Sequence, residues 1–477
     1  MRNSKENQAS GQGISVKSFL TAMIMLFALM VLTYLLTFLV PGGSYERAVV
    51  DGKEQVLPGT FSQAEGGISF WKWLLSPVLM LGAEGGATVV AIIVFLFVIG
   101  GIFHCMDKSG LMHYMLLSIS HRYAAQKYRM LMLISLFFMC MGSFVGSFEE
   151  SVPLVPIAVA LAVSMGWDAM VGLGMSLLAV GCGFSTGICN PFTVGVAQQL
   201  ADLPMFSGAP LRMLSFAVIY ICLTAFLVRY AKKIEKNPEK SVLCHKNGQE
   251  RPKSLLEEKF EPDADKAKGL KRFAIILGCG IVMIFASAFV SVLQDVMMPM
   301  IAVLFLIAGL AAVRAAKMEW KQIGKFFLEG AKSLLPAILL ILMAGSVKYT
   351  LVEAKILDTI LYEVSGYIER MPGGAAVLLL YGFVLLMNFF ISSGSAKAFL
   401  MMPLICPIAD FCGISRQLGV LAFAFGDGFS NVFYFTNPVL LISLGLAGVG
   451  YGAWVKWSGK FQLIVLIVTS AILLVAA

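Results

Sequence analysis

Thr186-Gly187-Ile188-Cys189-Asn190-Pro191-Phe192-Thr193-Val194-Gly195 breaks an apolar run that extends from Met170 to Leu200. Proline at 191 has no amide hydrogen and disfavours helix at the residue before it. A helix entering this run therefore stops partway, and its last carbonyls and the next segment's first N–H groups lose their partners. Freed carbonyls suit cations, and helix N-termini suit anions. Asn190 adds a carboxamide that donates and accepts at once. The same dipeptide returns 247 residues later as Asn437-Pro438, inside the apolar run Leu418–Ala447.

The composition says what surrounds these runs. Of 477 residues, 58% are apolar and 13% charged, with mean hydropathy +0.84. A soluble chain carries about a quarter charged residues, so a water-soluble enzyme, a nucleic-acid binder and a disordered scaffold are all excluded. Nine cysteines stand singly, with no CxxC or zinc-ligand spacing, and neither a metal site nor a disulfide framework is expected. His104, His113 and His121 are spaced wrongly for a helical metal pair and read as interfacial. The polar stretch Met1–Ser18 leads into a run too long for a signal sequence, which reads as a retained first span.

Apolar windows of membrane-helix length fall at Phe19–Val40, Ala87–Cys105, Leu211–Val228, Phe273–Val290, Val296–Val313, Leu334–Leu351 and Phe461–Ala476. With the two broken runs they make nine crossings. Met130–Met165 and Ala375–Cys412 remain. Each holds two apolar arms of about 15 residues, or about 22 Å of helix, short of a hydrocarbon core of roughly 30 Å. Their centres are polar: Gly146-Ser147-Phe148-Glu149-Glu150-Ser151 and Ser392-Ser393-Gly394-Ser395-Ala396-Lys397. Both segments read as re-entrant hairpins whose tips are buried in protein. With the N-terminus inside, the inner loops carry 26 Lys/Arg and the outer loops 5, as the positive-inside rule requires. His113–Tyr123 and Glu353–Ile368 read as amphipathic arm helices, and Trp71, Trp73, Trp454 and Trp457 as interfacial anchors.

The shift of 247 extends beyond the Asn-Pro pair. It lays Pro156 on Pro403, Ala162 on Ala409, Gly166 on Gly413, Gly172 on Gly419 and Gly181 on Gly428. An odd number of intervening crossings makes the two halves inverted, the arrangement of secondary carriers whose sites lie at the repeat interface. The reading is a first repeat at 1–231 (hairpin 130–165, broken span 168–200), a cytoplasmic linker at 232–272, and a connecting span with the inverted second repeat at 273–477 (hairpin 375–412, broken span 415–447).

The tips carry the chemistry. Glu149 and Glu150 suit a substrate ammonium, a Na+ ion or a coupled proton, unless Met130–Val145 crosses fully and leaves them at the surface. Lys397, opposite Glu150 in the repeat register, either neutralises a tip glutamate or receives a substrate carboxylate alongside Ser392, Ser393 and Ser395. Asp427 faces Val180 in that register and is a candidate for the coupling ion or for a substrate amine, or else caps a bend between its flanking glycines. Thr436, Ser430 and Asn431 offer neutral oxygens. The substrate-binding candidates are Ser147, Glu149, Glu150, Ser151, Asn190, Thr193, Ser393, Ser395, Lys397 and Asn437. The ion-coupling candidates are Glu149, Glu150, Asp427, Asn190, Asn437 and Thr436, with Na+ or H+ as the ion.

The first tip, with Pro153 and Pro156, and the string Thr186–Gly195 with Ala197-Gln198 resemble the YfcC-type carriers of the C4-dicarboxylate anaerobic carrier (DcuC-like) family, within the ion transporter superfamily. That resemblance implies a homodimer with a scaffold and an elevator-like transport domain, and it implies exchange of basic amino acids or carriage of dicarboxylates. The expectation is thus an all-α polytopic protein of the cytoplasmic (inner) membrane with the inverted-repeat fold of that superfamily: about nine crossings, two re-entrant hairpins and two broken helices. It is expected to be a transporter and not an enzyme, with the lipid bilayer and a small-molecule substrate as partners and no nucleic acid. A basic amino acid such as arginine or ornithine is the expected substrate. A Na+- or H+-coupled C4-dicarboxylate is the alternative, and a channel or an intramembrane enzyme is more distant.

Overall fold

Apolar segments in lipid must satisfy their backbone groups internally, and helices do so. The computed structural model describes residues 16–50, 53–83, 86–123, 126–146, 148–204, 206–243, 261–287, 291–368 and 370–477, and they form an all-helical polytopic membrane protein with two small β-pairings. Ser147, and 244–260 of the expected linker, lie outside the described residues.

Six described helices are long and apolar enough to cross a membrane: Val89–Lys108, Lys127–Val145, Ala209–Lys236, Gly373–Phe390, Gly394–Phe411 and Tyr451–Ala476. A seventh is counted if Trp320–Ser333 and Ile338–Glu353, bent by 41°, are one span. Met23–Leu39, Ala169–Ser185 and Pro299–Ala315 are apolar but shorter.

Two expectations change. The hairpin arms are longer than fifteen residues: Gly373–Phe390 and Gly394–Phe411 have 18 each and Lys127–Val145 has 19. Eighteen residues reach about 27 Å, and the six 3-10 and ten α residues of Glu149–Ser164 reach about as far, so arm length alone does not separate a hairpin from two crossings. The reason is local. The string Gly394-Ser395-Ala396-Lys397 opens a helix instead of interrupting one, with the Lys397 N–H donating to the Ser393 carbonyl at 3.0 Å. In the first hairpin, Gly146 stops the chain in a left-handed conformation (φ 75°), and Glu149–Leu154, with Pro153 inside it, winds as a tight 3-10 turn.

The segment 314–332, expected as an inner loop, instead forms most of the helix Trp320–Ser333, opened by a Glu319/Gln322 capping box. It packs on Gly86–Lys108 so closely that a Cβ on Gly330 would lie 2.2 Å from the Gly100 carbonyl oxygen. The segment 41–84, expected on the outer face, folds into the antiparallel pairs Gly43–Ser44/Ser62–Gln63 and Arg47–Val50/Lys53–Val56. Asp358, on the arm helix Leu357–Ile368, accepts from the Tyr45 N–H and from Arg47 Nη2, and so ties this segment down.

The two halves repeat each other at the register read from sequence. Val155–Ser164 and Gly394–Phe411 end 247 residues apart, and Gly166 (φ 83°) and Gly413 (φ 69°) make the same left-handed turn after them. Asp168 then caps the first broken span through Val171 N–H, as Ser415 caps the second through Leu418 N–H. Where the broken spans cross, Gly181 faces Val432 and Gly428 faces Ser185. In register Gly428 is the counterpart of Gly181, and Val432 that of Ser185. Such reciprocal contacts are what a two-fold relation between like elements produces.

Candidate functional site

Both Asn-Pro pairs act as helix N-caps. Asn190 Oδ1 accepts from the N–H groups of Phe192 (2.9 Å) and Thr193 (3.3 Å), and Asn437 Oδ1 accepts from Val439 N–H (2.9 Å). Each span is thereby stopped and restarted, with proline in the first turn where its missing N–H costs nothing. The first half adds π-helical turns at Met141–Val145, Gly174–Leu178 and Pro191–Gly195, a feature that concentrates at functional sites.

The tips close on these breaks. A Cβ on Gly146 would lie 2.3 Å from Asn190 Oδ1. A Cβ on Gly394 would lie 2.5 Å from Thr193 Cγ2 and 2.6 Å from Asp427 Oδ2, so the second tip touches both broken spans at once. In the first break, Ser143 accepts from the Ile188 N–H and donates to the Thr186 carbonyl, each at 3.0 Å.

Behind the second tip a buried polar chain runs through one half only. The Lys397 ammonium donates to Asn388 Oδ1 and Asp427 Oδ1, with both side chains of the ion pair fully buried. Asn388 Nδ2 donates to Ser430 Oγ (2.6 Å) and Asn431 Oδ1 (3.0 Å), and Asn437 Nδ2 reaches the same Asn431 oxygen (2.9 Å). The register counterparts of Asn388, Asp427, Ser430 and Asn431 are Met141, Val180, Gly183 and Phe184. The fold is therefore built in the first half without this network.

The expectations for Lys397 and Asp427 are corrected here. Lys397 is engaged by Asp427 and Asn388, not by a tip glutamate, because the helix begun at Gly394 turns it inward against the second broken span. Asp427 is an ion-pair partner and caps no bend. Ser151 donates its hydroxyl hydrogen to the Phe148 carbonyl at 2.7 Å. Ser393 is exposed and Ser395 half-buried. Glu149 and Glu150 are half-buried, and no other described residue gives either carboxylate a hydrogen bond or ion pair. Glu150 lines an apolar cleft, with Pro153 and Leu154 of its own hairpin on one side and Leu277, Gly280 and Phe305 on the other. No group of three metal-binding side chains occurs among the described residues.

Four buried polar atoms at the breaks have no hydrogen-bond partner among the described residues: Asn190 Nδ2, Thr193 Oγ1, Asp427 Oδ2 and Thr436 Oγ1. Such atoms are rare in folded proteins, since each left unmade costs about 1–3 kcal/mol. They are the groups a polar solute would satisfy.

Sequence reasoning passed over two residues. Asn388 is a lone carboxamide in an apolar arm, legible only by its contrast with Met141. Arg212 is 2% exposed and donates to the carbonyls of Ile188 (3.2 Å) and Phe206 (3.0 Å), tying the first break to the loop that follows its span. Its place near a span end reads as interfacial in sequence.

The family model described as C4-dicarboxylate anaerobic carrier (DcuC) matches residues 19–477. The chain is 30% identical over 421 residues to an Escherichia coli (strain K12) protein named "Putative basic amino acid antiporter YfcC", spanning 84% of this chain and 79% of that one. It is 25% identical over 487 residues to an uncharacterized protein of Haemophilus influenzae, spanning 92% and 93%. Among solved structures it is similar to the Alcanivorax borkumensis YdaH transporter (17% identity, 96% and 97% coverage, TM-score 0.42) and to Neisseria gonorrhoeae MtrF (15%, 95% and 94%, TM-score 0.44). The chain belongs to the C4-dicarboxylate anaerobic carrier family and is a membrane transporter.

Proposed function

We propose that the chain is a secondary active carrier that exchanges small amino-acid-like solutes across the cytoplasmic membrane, with a basic amino acid such as arginine or ornithine as substrate. One observation carries the choice. Lys397 is neutralised by Asp427, whereas Glu149 and Glu150 face no cation among the described residues. The charge left at the tips is negative, which suits an ammonium or guanidinium and repels a dicarboxylate. The name of the Escherichia coli relative points the same way.

In this reading Glu149 and Glu150 hold the cationic end of the solute, and the unpartnered donors Asn190 Nδ2 and Thr193 Oγ1 take its carboxylate. The same proposal has the tips and helix breaks of the repeats 1–231 and 273–477 near mid-membrane, reached by re-entrant segments, and the N-terminus and the linker 232–272 in the cytoplasm. The reciprocal packing of Gly181 and Gly428 supports the inversion. The chain works as a homodimer in which hairpins and broken spans move together past a scaffold, and the cleft between Glu150 and Phe305 lies on that sliding surface.

Counterflow in proteoliposomes tests this. Labelled arginine is expected to accumulate when arginine or ornithine is trapped inside, and not when succinate is. Accumulation of succinate with no response to arginine overturns the proposal.

A further inference from the structure

Lys397 stands where an inverted-repeat carrier would seat an inorganic cation: at a helix break, fully buried, and facing side-chain oxygens. An ammonium has three donors and no acceptor, so it makes the same demand on its surroundings as a small metal ion. Asn388 is oriented to meet that demand. Its amide nitrogen is spent on Ser430 and Asn431, which leaves Oδ1 for the ammonium. Asp427 supplies the balancing charge. The first half forms the same crossing with Met141, Val180, Gly183 and Phe184 and needs no such network. A buried ion pair is also weak as a stabilising device, because desolvation offsets much of its attraction. Packing therefore does not account for the network, whereas occupation of a cation site does.

We propose that the Lys397 ammonium is a resident, covalently tethered cation at the second break, filling the place of a coupling Na+, so that the carrier binds no Na+ there. This deepens the carrier reading by fixing its ion requirement. A carrier built this way draws nothing from a Na+ gradient at this site and is suited to solute exchange.

The test reads ion binding, not flux, so failure to find a transported solute would sink the carrier reading and leave this result standing. The probe is Na+ itself. Unfolding midpoints of the purified full chain are compared in NaCl and choline chloride at equal ionic strength. The wild-type midpoint is expected to be the same in both salts. Lys397→Ser vacates the site, keeps Asp427 and Asn388, and leaves a hydroxyl. It is expected to show a saturable upward shift in Na+ that choline does not give, and Lys397→Ser with Asp427→Asn is expected to lose that shift. Recovery of folded Lys397→Ser only in Na+ buffers is the same result in another form. A Na+-specific shift in the wild type overturns the proposal. So does a Lys397→Ser protein that is indifferent to Na+ or that fails to fold in either salt.

Discussion

Gly181→Ala and Gly428→Ala test the crossing of the two broken spans. A Cβ at 181 would stand 2.4 and 3.2 Å from the two Val432 methyls, and one at 428 would stand 2.2 Å from Ser185 Oγ and 2.5 Å from Ser185 N. Ordinary carbon contacts lie at about 3.5–4.0 Å, so each alanine forces its neighbour to move by roughly 1 Å. Overpacking of that kind costs about 1–3 kcal/mol. The two sites differ in what can yield. Val432→Ala removes both clashing methyls, so Gly181→Ala with Val432→Ala is expected to be more stable than the sum of the single losses by about 1 kcal/mol or more. Ser185→Ala leaves the backbone nitrogen in place and is expected to rescue Gly428→Ala less. The assay is thermal and denaturant unfolding of purified protein for all members of both cycles. Strictly additive losses at 181 and 432 would refute the reciprocal crossing, and with it the two-fold relation between halves.

Lys397→Met leaves Asp427 buried without its partner and is expected to cost about 3–5 kcal/mol, while adding Asp427→Leu is expected to restore much of that stability; unfolding midpoints of the three proteins check this. Arg212→Leu leaves the Ile188 and Phe206 carbonyls unmet, at about 1–3 kcal/mol each, and is expected to lower both the midpoint and the exchange rate. Glu149→Gln and Glu150→Gln are expected to abolish arginine counterflow with the unfolding midpoint unchanged or raised, because neither carboxylate has a partner to lose among the described residues; wild-type counterflow in both variants would discard the tip as the cationic subsite.

The breaks were legible because Asn-Pro is a strictly local signal: proline stops the helix and asparagine caps the next one whatever packs against them. The register of 247 was legible for the same reason, since Gly166/Gly413 and Asp168/Ser415 set turns and caps within a few residues. The partner of Lys397 was not. Asp427 lies 30 residues away on another element, and only the inward turn of the helix begun at Gly394 decides between it and a tip glutamate. Nor does a string of small polar residues reveal whether it ends a helix, as at Gly146, or starts one, as at Gly394. The tethering of Asp358 by Tyr45 and Arg47 joins residues more than 300 apart, which no periodicity encodes.

The proposed exchange requires the unpartnered polar groups at the breaks to be reached in turn from each side of the membrane. The direct measurement introduces cysteine at Thr193 or Thr436 in a background with the nine native cysteines replaced, and times its reaction with a membrane-impermeant thiol reagent added to one face at a time. Labelling from both faces, slowed by arginine and not by succinate, is the predicted result. Labelling from neither face, or from one face at a rate indifferent to every solute, would contradict it.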